Sequence, residues 1–144
     1  MITVEVERLI AAPRDRVWSV YTDWPGWTRW ARLGRVRLSR AGQGEANGVG
    51  AVRSINNFGY VIDEEIVAFE PPRRVVYRVV GGAIPMRDHE GEVVLEPQGD
   101  QTRVTWRCRF EPTLPVIGPI MRGVVKVTFA HVLSRLAKRM ASAT

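Results

Sequence analysis

Cysteine, histidine and lysine are scarce in this chain, and each shortage closes off a class of chemistry. The 144 residues hold one cysteine, Cys108, and two histidines, His89 and His131. A lone thiol has no partner for an intramolecular disulfide, which suits a reducing compartment. Structural zinc sites and Rieske clusters need more Cys and His ligands than these side chains supply. His89-Glu90 opens like a metalloprotease helix motif, but Val93 stands where the second histidine belongs. There is no Gly-x-Ser-x-Gly elbow to carry a nucleophilic serine. Gly48-x-Gly50-x-x-Arg53 lacks the third glycine of a dinucleotide-binding turn. No metal and no cofactor is therefore expected. Long apolar runs are missing as well: none approaches the roughly 20 residues of a membrane span. Charge interrupts the opening segment at Glu5, so it does not read as a signal peptide. The expectation is a soluble, cytoplasmic protein folded as one domain over residues 1–144.

Lysine is confined to Lys126 and Lys138 among 21 basic residues, and arginine supplies the rest. With 15 acidic residues the formal charge is +6, which raises the question of nucleic acid. The bases are scattered through every segment, however, and the densest group is only Arg135, Lys138 and Arg139. No nucleic-acid motif accompanies them, so a solvated basic surface is the reading.

What is present is a succession of short alternating segments. Residues 3–10 place Val4 and Val6 on one side and Glu5 and Glu7 on the other, as a strand does. Pro13 then suits the first turn of a helix carrying Val17, Trp18, Val20 and Tyr21 on one face. Asp23-Trp24-Pro25-Gly26 breaks that helix, and Pro25 opens a second, shorter one with Trp27 and Trp30 as neighbours. Six strands follow over residues 35–40, 48–56, 60–69, 74–80, 87–96 and 102–110. Turns at Asn57-Phe58-Gly59, Pro71-Pro72, Gly81-Gly82 and Pro97-Gln98-Gly99-Asp100 separate several of them. Connections this short admit antiparallel pairing and leave no room for parallel crossovers. Pro112, Pro115 and Pro119 end the sheet. Residues 118–141 then carry Met121, Val125, Phe129, Val132, Leu133, Leu136 and Met140 on one helical stripe. The fold class is α+β: about seven antiparallel strands and one long amphipathic C-terminal helix.

Several segments resemble one superfamily in order and spacing. Ile10-Ala11-Ala12-Pro13-Arg14-Asp15-Arg16-Val17-Trp18 resembles its opening motif, and Gly48-Val49-Gly50-Ala51-Val52-Arg53 an early strand. Glu70-Pro71-Pro72-Arg73-Arg74-Val75-Val76-Tyr77 resembles a strand entry. Ile84 to Gly91 and Thr102 to Trp106 are similar to the polyketide cyclase/dehydrase branch of the SRPBCC proteins, which share the START and birch-pollen-allergen fold. The resemblance runs from about Val4 to Met140. It implies a helix-grip fold, in which a curved sheet wraps the long helix and leaves a cavity for an apolar ligand. It does not imply a reaction, because the superfamily includes carriers, receptors and cyclases.

Strand alternation sorts the candidate site residues. Tyr77, His89 and Trp106 fall on inward faces, with Val93 and Leu95 in phase with His89. His89 is the sharpest candidate, since imidazole exchanges a proton near neutral pH; the plain alternative is a strand-end histidine bonded to water. Tyr77 is a candidate donor, against the alternative of a satisfied core hydroxyl. Trp27, Trp30, Val125 and Phe129 complete the expected walls. Arg122 falls near Phe129 on the helical wheel and is a candidate for an anionic ligand group, or else it snorkels outward. Cys108, Trp18 and Trp24 read as core, and His131 as facing solvent. Asp63-Glu64-Glu65 reads as surface charge. The expected function is binding of an aromatic polyketide or lipid-like molecule. Catalysis of aldol cyclisation and dehydration, with His89 as base and Tyr77 as donor, is an alternative. A second is a protein-interaction module anchored by exposed tryptophans.

Overall fold

The computed structural model describes residues 1–57, 59–82 and 84–142. An antiparallel sheet of seven strands organises them. The strands are β1 (Ile2–Ile10), β2 (Arg35–Arg40), β3 (Val52–Asn57), β4 (Tyr60–Glu70), β5 (Arg74–Gly82), β6 (Met86–Gln98) and β7 (Gln101–Pro112). Their spatial order is β1-β7-β6-β5-β4-β3-β2, so β2 to β7 form a meander and β1 closes against its last strand. Between β1 and β2 lie α1 (Arg14–Tyr21), a 3-10 turn at Trp24–Gly26, and α2 (Trp27–Trp30). The long helix is α3 (Gly118–Ala141). This is the helix-grip arrangement expected from the sequence.

The strand period explains the two faces of the sheet. On β7, Val104, Trp106, Cys108 and Phe110 are buried in the core. Each apolar side chain of this size contributes about 1.5–3 kcal/mol when fully buried. The alternate residues turn outward and meet acidic partners on neighbouring strands. Arg103 bonds Glu7 and Arg107 bonds Glu5, each at 2.9 Å, across the β1–β7 pair. Arg74 bridges Glu70 and Glu92, while Arg40 and Arg78 both reach Glu65. Much of the arginine is thus spent on cross-strand ion pairs on a solvated face, each contributing about 0–1 kcal/mol.

The long helix has two unlike halves. Phe129, Val132, Leu133, Leu136 and Met140 are buried, and the helix packs on β1, α1 and α2. Arg135 Nε donates to the Trp30 carbonyl at 3.1 Å, and His131 Nε2 lies 2.8 Å from the Ala31 carbonyl. His131 is exposed overall, as expected, yet ties α3 to the end of α2. Ahead of Phe129 only Gly118 and Val125 are buried, and Ile120, Val124 and Val127 are exposed. By length and composition the segment Pro115–Ala141 is apolar enough to cross a membrane, with mean hydropathy 1.4. No apolar run of that length was expected from the sequence; the helix passes by length and composition alone, and one side of it packs on the sheet and the short helices.

Two local expectations differ from the structure. Gly81 and Gly82 do not turn the chain; they extend β5 and pair with Asp63 and Ile62 of β4. Gly82 has φ +109°, and an added Cβ would meet the Val61 carbonyl at 2.3 Å, so the position needs glycine. β6 carries a bulge between Arg87 and Glu90, with Asp88 at φ +52°. The turn expected at Asn57-Phe58-Gly59 includes Phe58, which lies outside the described residues.

Candidate functional site

Where the sheet and the first half of α3 do not touch, they enclose a cavity of about 570 Å³. Its walls come from α2 through Trp27, β3 through Ile55, and β4 through Ile62 and Glu64. β5 adds Tyr77 and Val79, β6 adds Met86 and His89, and β7 adds Trp106. Met121, Val125 and Phe129 of α3 form the roof. Trp106 and Phe129 stack at 4.1 Å with an 11° interplanar angle, so sheet and helix meet there and bound the space. Among the described residues the lining has one carboxylate, Glu64, and no lysine or arginine.

A polar group gathers on the sheet side. Trp106 Nε1 donates to Tyr77 Oη at 2.7 Å. The tyrosine oxygen therefore acts as an acceptor on that side, and its own proton remains for another partner. Tyr77 sits where it does because Gly91 faces it across the β5–β6 register. A Cβ at Gly91 would stand 2.2 Å from the Tyr77 ring. The His89 ring lies 5.6 Å from that of Tyr77, and its Nδ1 is buried without a hydrogen-bond partner. Burial lowers the His89 pKa, with Arg53 adding to the effect and Glu64 opposing it. The imidazole is accordingly neutral at pH 7. Burial pushes the Tyr77 phenol well above its ordinary value, so it keeps its proton.

At the cavity floor lies an ion pair. Arg53 is fully buried, and its Nε donates to Glu64 Oε1 at 2.9 Å. Its two terminal nitrogens have no hydrogen-bond partner. The guanidinium instead lies 4.5 Å from the Trp24 and Tyr77 ring centroids and 5.0 Å from that of Trp27. Desolvation works against its charge, but Glu64 and the two tyrosines Tyr21 and Tyr77 more than offset it and raise its pKa. Burial pushes Tyr21 up to about 12, with Arg53 pulling the other way.

Of the residues expected at the site, Trp27, Tyr77, His89, Trp106, Val125 and Phe129 line the cavity together. Two do not. Trp30 is buried but packs against Trp27 at 5.5 Å, outside the lining, and its role is to seat α2. Arg122 is exposed on α3 and turns to water. The reading of residues 63–65 as surface charge is also corrected, since Glu64 is buried, paired with Arg53 and part of the lining. The signal was in the alternation: Ile62, Glu64 and Ile66 share a face, and so do Ala51, Arg53 and Ile55. All five tryptophans are buried, which removes the exposed anchors that a protein-interaction module would use. Cys108 is buried, and burial pushes its thiol up to about 12, so it is core rather than nucleophile. Among the described residues no cluster of His, Cys, Asp and Glu side chains has the makings of a metal site.

A family model described as polyketide cyclase / dehydrase and lipid transport matches residues 1–141. Among solved structures, a START superfamily protein from Mycobacterium smegmatis is similar with a TM-score of 0.83 at 18% identity, over 99% of each chain. A solution structure from Thermobifida fusca has a TM-score of 0.81 at 24% identity, covering 96% of this chain and 93% of its own. DynU16, a protein in the dynemicin biosynthetic locus, has a TM-score of 0.75 at 19% identity, covering 99% of this chain and 48% of its own. No curated protein matches the sequence. At these identities the structural likeness establishes the fold.

Proposed function

Because the chain belongs to the polyketide cyclase/dehydrase and lipid-transport family, we propose that it binds one largely apolar small molecule, an aromatic polyketide or a lipid-like compound, between the sheet and α3. The observation that carries this reading is the cavity itself. Its volume of about 570 Å³ falls within the roughly 300–1,000 Å³ of sites for small organic ligands. Its walls are mainly apolar, and its polar side chains Asn57, Tyr60, Glu64, Tyr77 and His89 stand on the sheet, with Thr128 on the helix. Native mass spectrometry of the purified protein, with a thermal-shift screen of aromatic polyketides and long-chain lipids, tests the reading. A ligand at 100 times its Kd adds about 2.7 kcal/mol to stability. At roughly 2–4 °C per kcal/mol this raises Tm by about 5–10 °C. The absence of a bound molecule and of any shift across the screen would count against the reading.

A second reading is favoured by the proximity of His89 and Tyr77. Aldol cyclisation of a poly-β-ketone chain needs a base for an α-proton and a donor for the enolate oxygen. Neutral His89 with an unpartnered Nδ1 supplies the first, and the Tyr77 hydroxyl supplies the second. The α-proton passes to the imidazole, the enolate carbon bonds to a second carbonyl of the chain, and the new alkoxide takes a proton. Loss of the new hydroxyl and an α-proton as water then leaves a carbon–carbon double bond in the ring. The expected outcome for an enzyme is that His89→Ala and Tyr77→Phe each lower turnover of a reactive poly-ketone surrogate by about 100-fold or more, with ligand affinity retained. Unchanged turnover in both variants makes the protein a carrier.

A further inference from the structure

The cavity has a chemical polarity that its apolar walls conceal. Its lining presents Glu64 as the single charged side chain among the described residues. The nearest cation, Arg53, is no part of the lining. It lies under Trp24, Trp27 and Tyr77, and its Nε is already committed to Glu64 Oε1. Glu64 keeps 11% of its side chain accessible, while Arg53 keeps 1%, so the pair shows its negative end to the cavity. Beside it are the buried, unpartnered Nδ1 of His89 and the hydroxyl of Tyr77, whose oxygen already accepts from Trp106. A carboxylate ligand entering this space would give up its water, meet no cation in the lining and face a like charge, because the unbonded terminal nitrogens of Arg53 are buried against the Trp27 and Tyr77 rings. A neutral hydroxyl would do the opposite. Its proton can be donated to the Glu64 carboxylate and its oxygen can accept from Tyr77.

We propose that Glu64 determines the ligand class of this cavity, selecting neutral hydroxyl-bearing molecules such as phenols and enols, and excluding carboxylates such as fatty acids. The inference rests on the reading that the cavity binds a ligand, and it narrows that reading by half: an aromatic or enolised polyketide fits, a free fatty acid does not. It also explains why Arg122, the one helix cation the sequence suggested for an anionic group, has no part in the site.

The test uses three fluorescent molecules with one apolar frame: pyrene, hydroxypyrene and pyrenecarboxylate, titrated into the wild-type protein at pH 7. Apolar transfer alone ranks the bare hydrocarbon tightest. A hydrogen bond to a charged group reverses this, so hydroxypyrene is expected to bind about 10-fold more tightly than pyrene, and pyrenecarboxylate at least about 10-fold more weakly than hydroxypyrene. In Glu64→Gln both differences are expected to shrink to within about threefold. That variant leaves Arg53 without its counter-charge; if it does not fold, the wild-type ranking alone decides. Pyrene bound, with pyrenecarboxylate equal to hydroxypyrene or tighter, overturns the proposal and leaves the cavity reading standing. Wild-type selectivity kept intact in folded Glu64→Gln overturns the assignment to Glu64. If none of the three binds, the cavity reading fails and the proposal fails with it.

Discussion

His89 shows how the local environment converts an ordinary side chain into a usable one. It stands on β6 within the bulge between Arg87 and Glu90, in phase with the buried Gly91, Val93 and Leu95. The groups acting on it are Glu64 from β4, Arg53 from β3 and Glu90 from its own strand, with Tyr77 of β5 against its ring. Burial is the largest effect and lowers its pKa below the ordinary 6.5. The folded state therefore releases the His89 proton at a lower pH than the unfolded chain does. The resulting stability is fully present above the unfolded value and is lost as pH falls through that value towards the folded one. The expected outcome is that wild-type protein loses more stability than His89→Gln between pH 7.5 and pH 5, measured as the shift in urea midpoint. Equal losses in the two proteins would show that His89 titrates as an exposed histidine. At this scale the sequence was partly legible. Alternation put Tyr77, His89 and Trp106 on inward faces, and all three line the cavity, because period two is stiff wherever one face is buried. The same rule applied to β3 and β4 would have drawn Arg53 and Glu64 inward. It was outweighed by the general rule that charges stay out of cores, which fails when two charges arrive together on paired strands. Arg53 and Glu64 are direct partners in the β3–β4 register.

Strand number, antiparallel order and the long helix were all readable from turn residues and from one apolar stripe. The stripe did not disclose that α3 does two jobs. Leu133 and Leu136 fill a packed core, while Met121, Val125 and Phe129 roof an open space. Both jobs call for apolar side chains at helical spacing, so the pattern is the same on paper. Energetically they differ. Leu133→Ala removes contacts in close-packed surroundings and is expected to cost about 2–5 kcal/mol. Val127→Ala, at a position 70% exposed, is expected to change stability by less than about 0.5 kcal/mol. Urea unfolding of the two variants checks this, and a similar cost at both positions would mean that the first half of α3 is as tightly docked as the second.

At the scale of the whole molecule, the distinguishing feature is a volume that the side chains do not fill. A 144-residue chain normally closes its core to near-crystalline density, yet here a cavity of about 570 Å³ lies beside the buried Trp27 and Trp106. The short helices explain how the space persists. α2 and the turn before it wedge Trp24 and Trp27 over the Arg53 guanidinium, at 4.5 and 5.0 Å, so that end of the sheet cannot collapse onto α3. At the other side, Trp106 against Phe129 sets the distance between sheet and helix. An opening held by rigid aromatic struts differs from a packing defect, and large side chains placed in it discriminate between the two. Val79 on β5 and Val125 on α3 belong to the sheet wall and the helix wall of the cavity. In a filled core, enlarging each to phenylalanine would cost about 1–3 kcal/mol through overpacking. Where room exists, the added rings gain contacts instead. The expected outcome for Val79→Phe with Val125→Phe is a urea midpoint within about 1 kcal/mol of wild type, together with loss of hydroxypyrene binding by fluorescence titration. A strongly destabilised double variant would mean that the cavity closes in solution, whereas intact stability with intact binding would place the ligand elsewhere on the molecule.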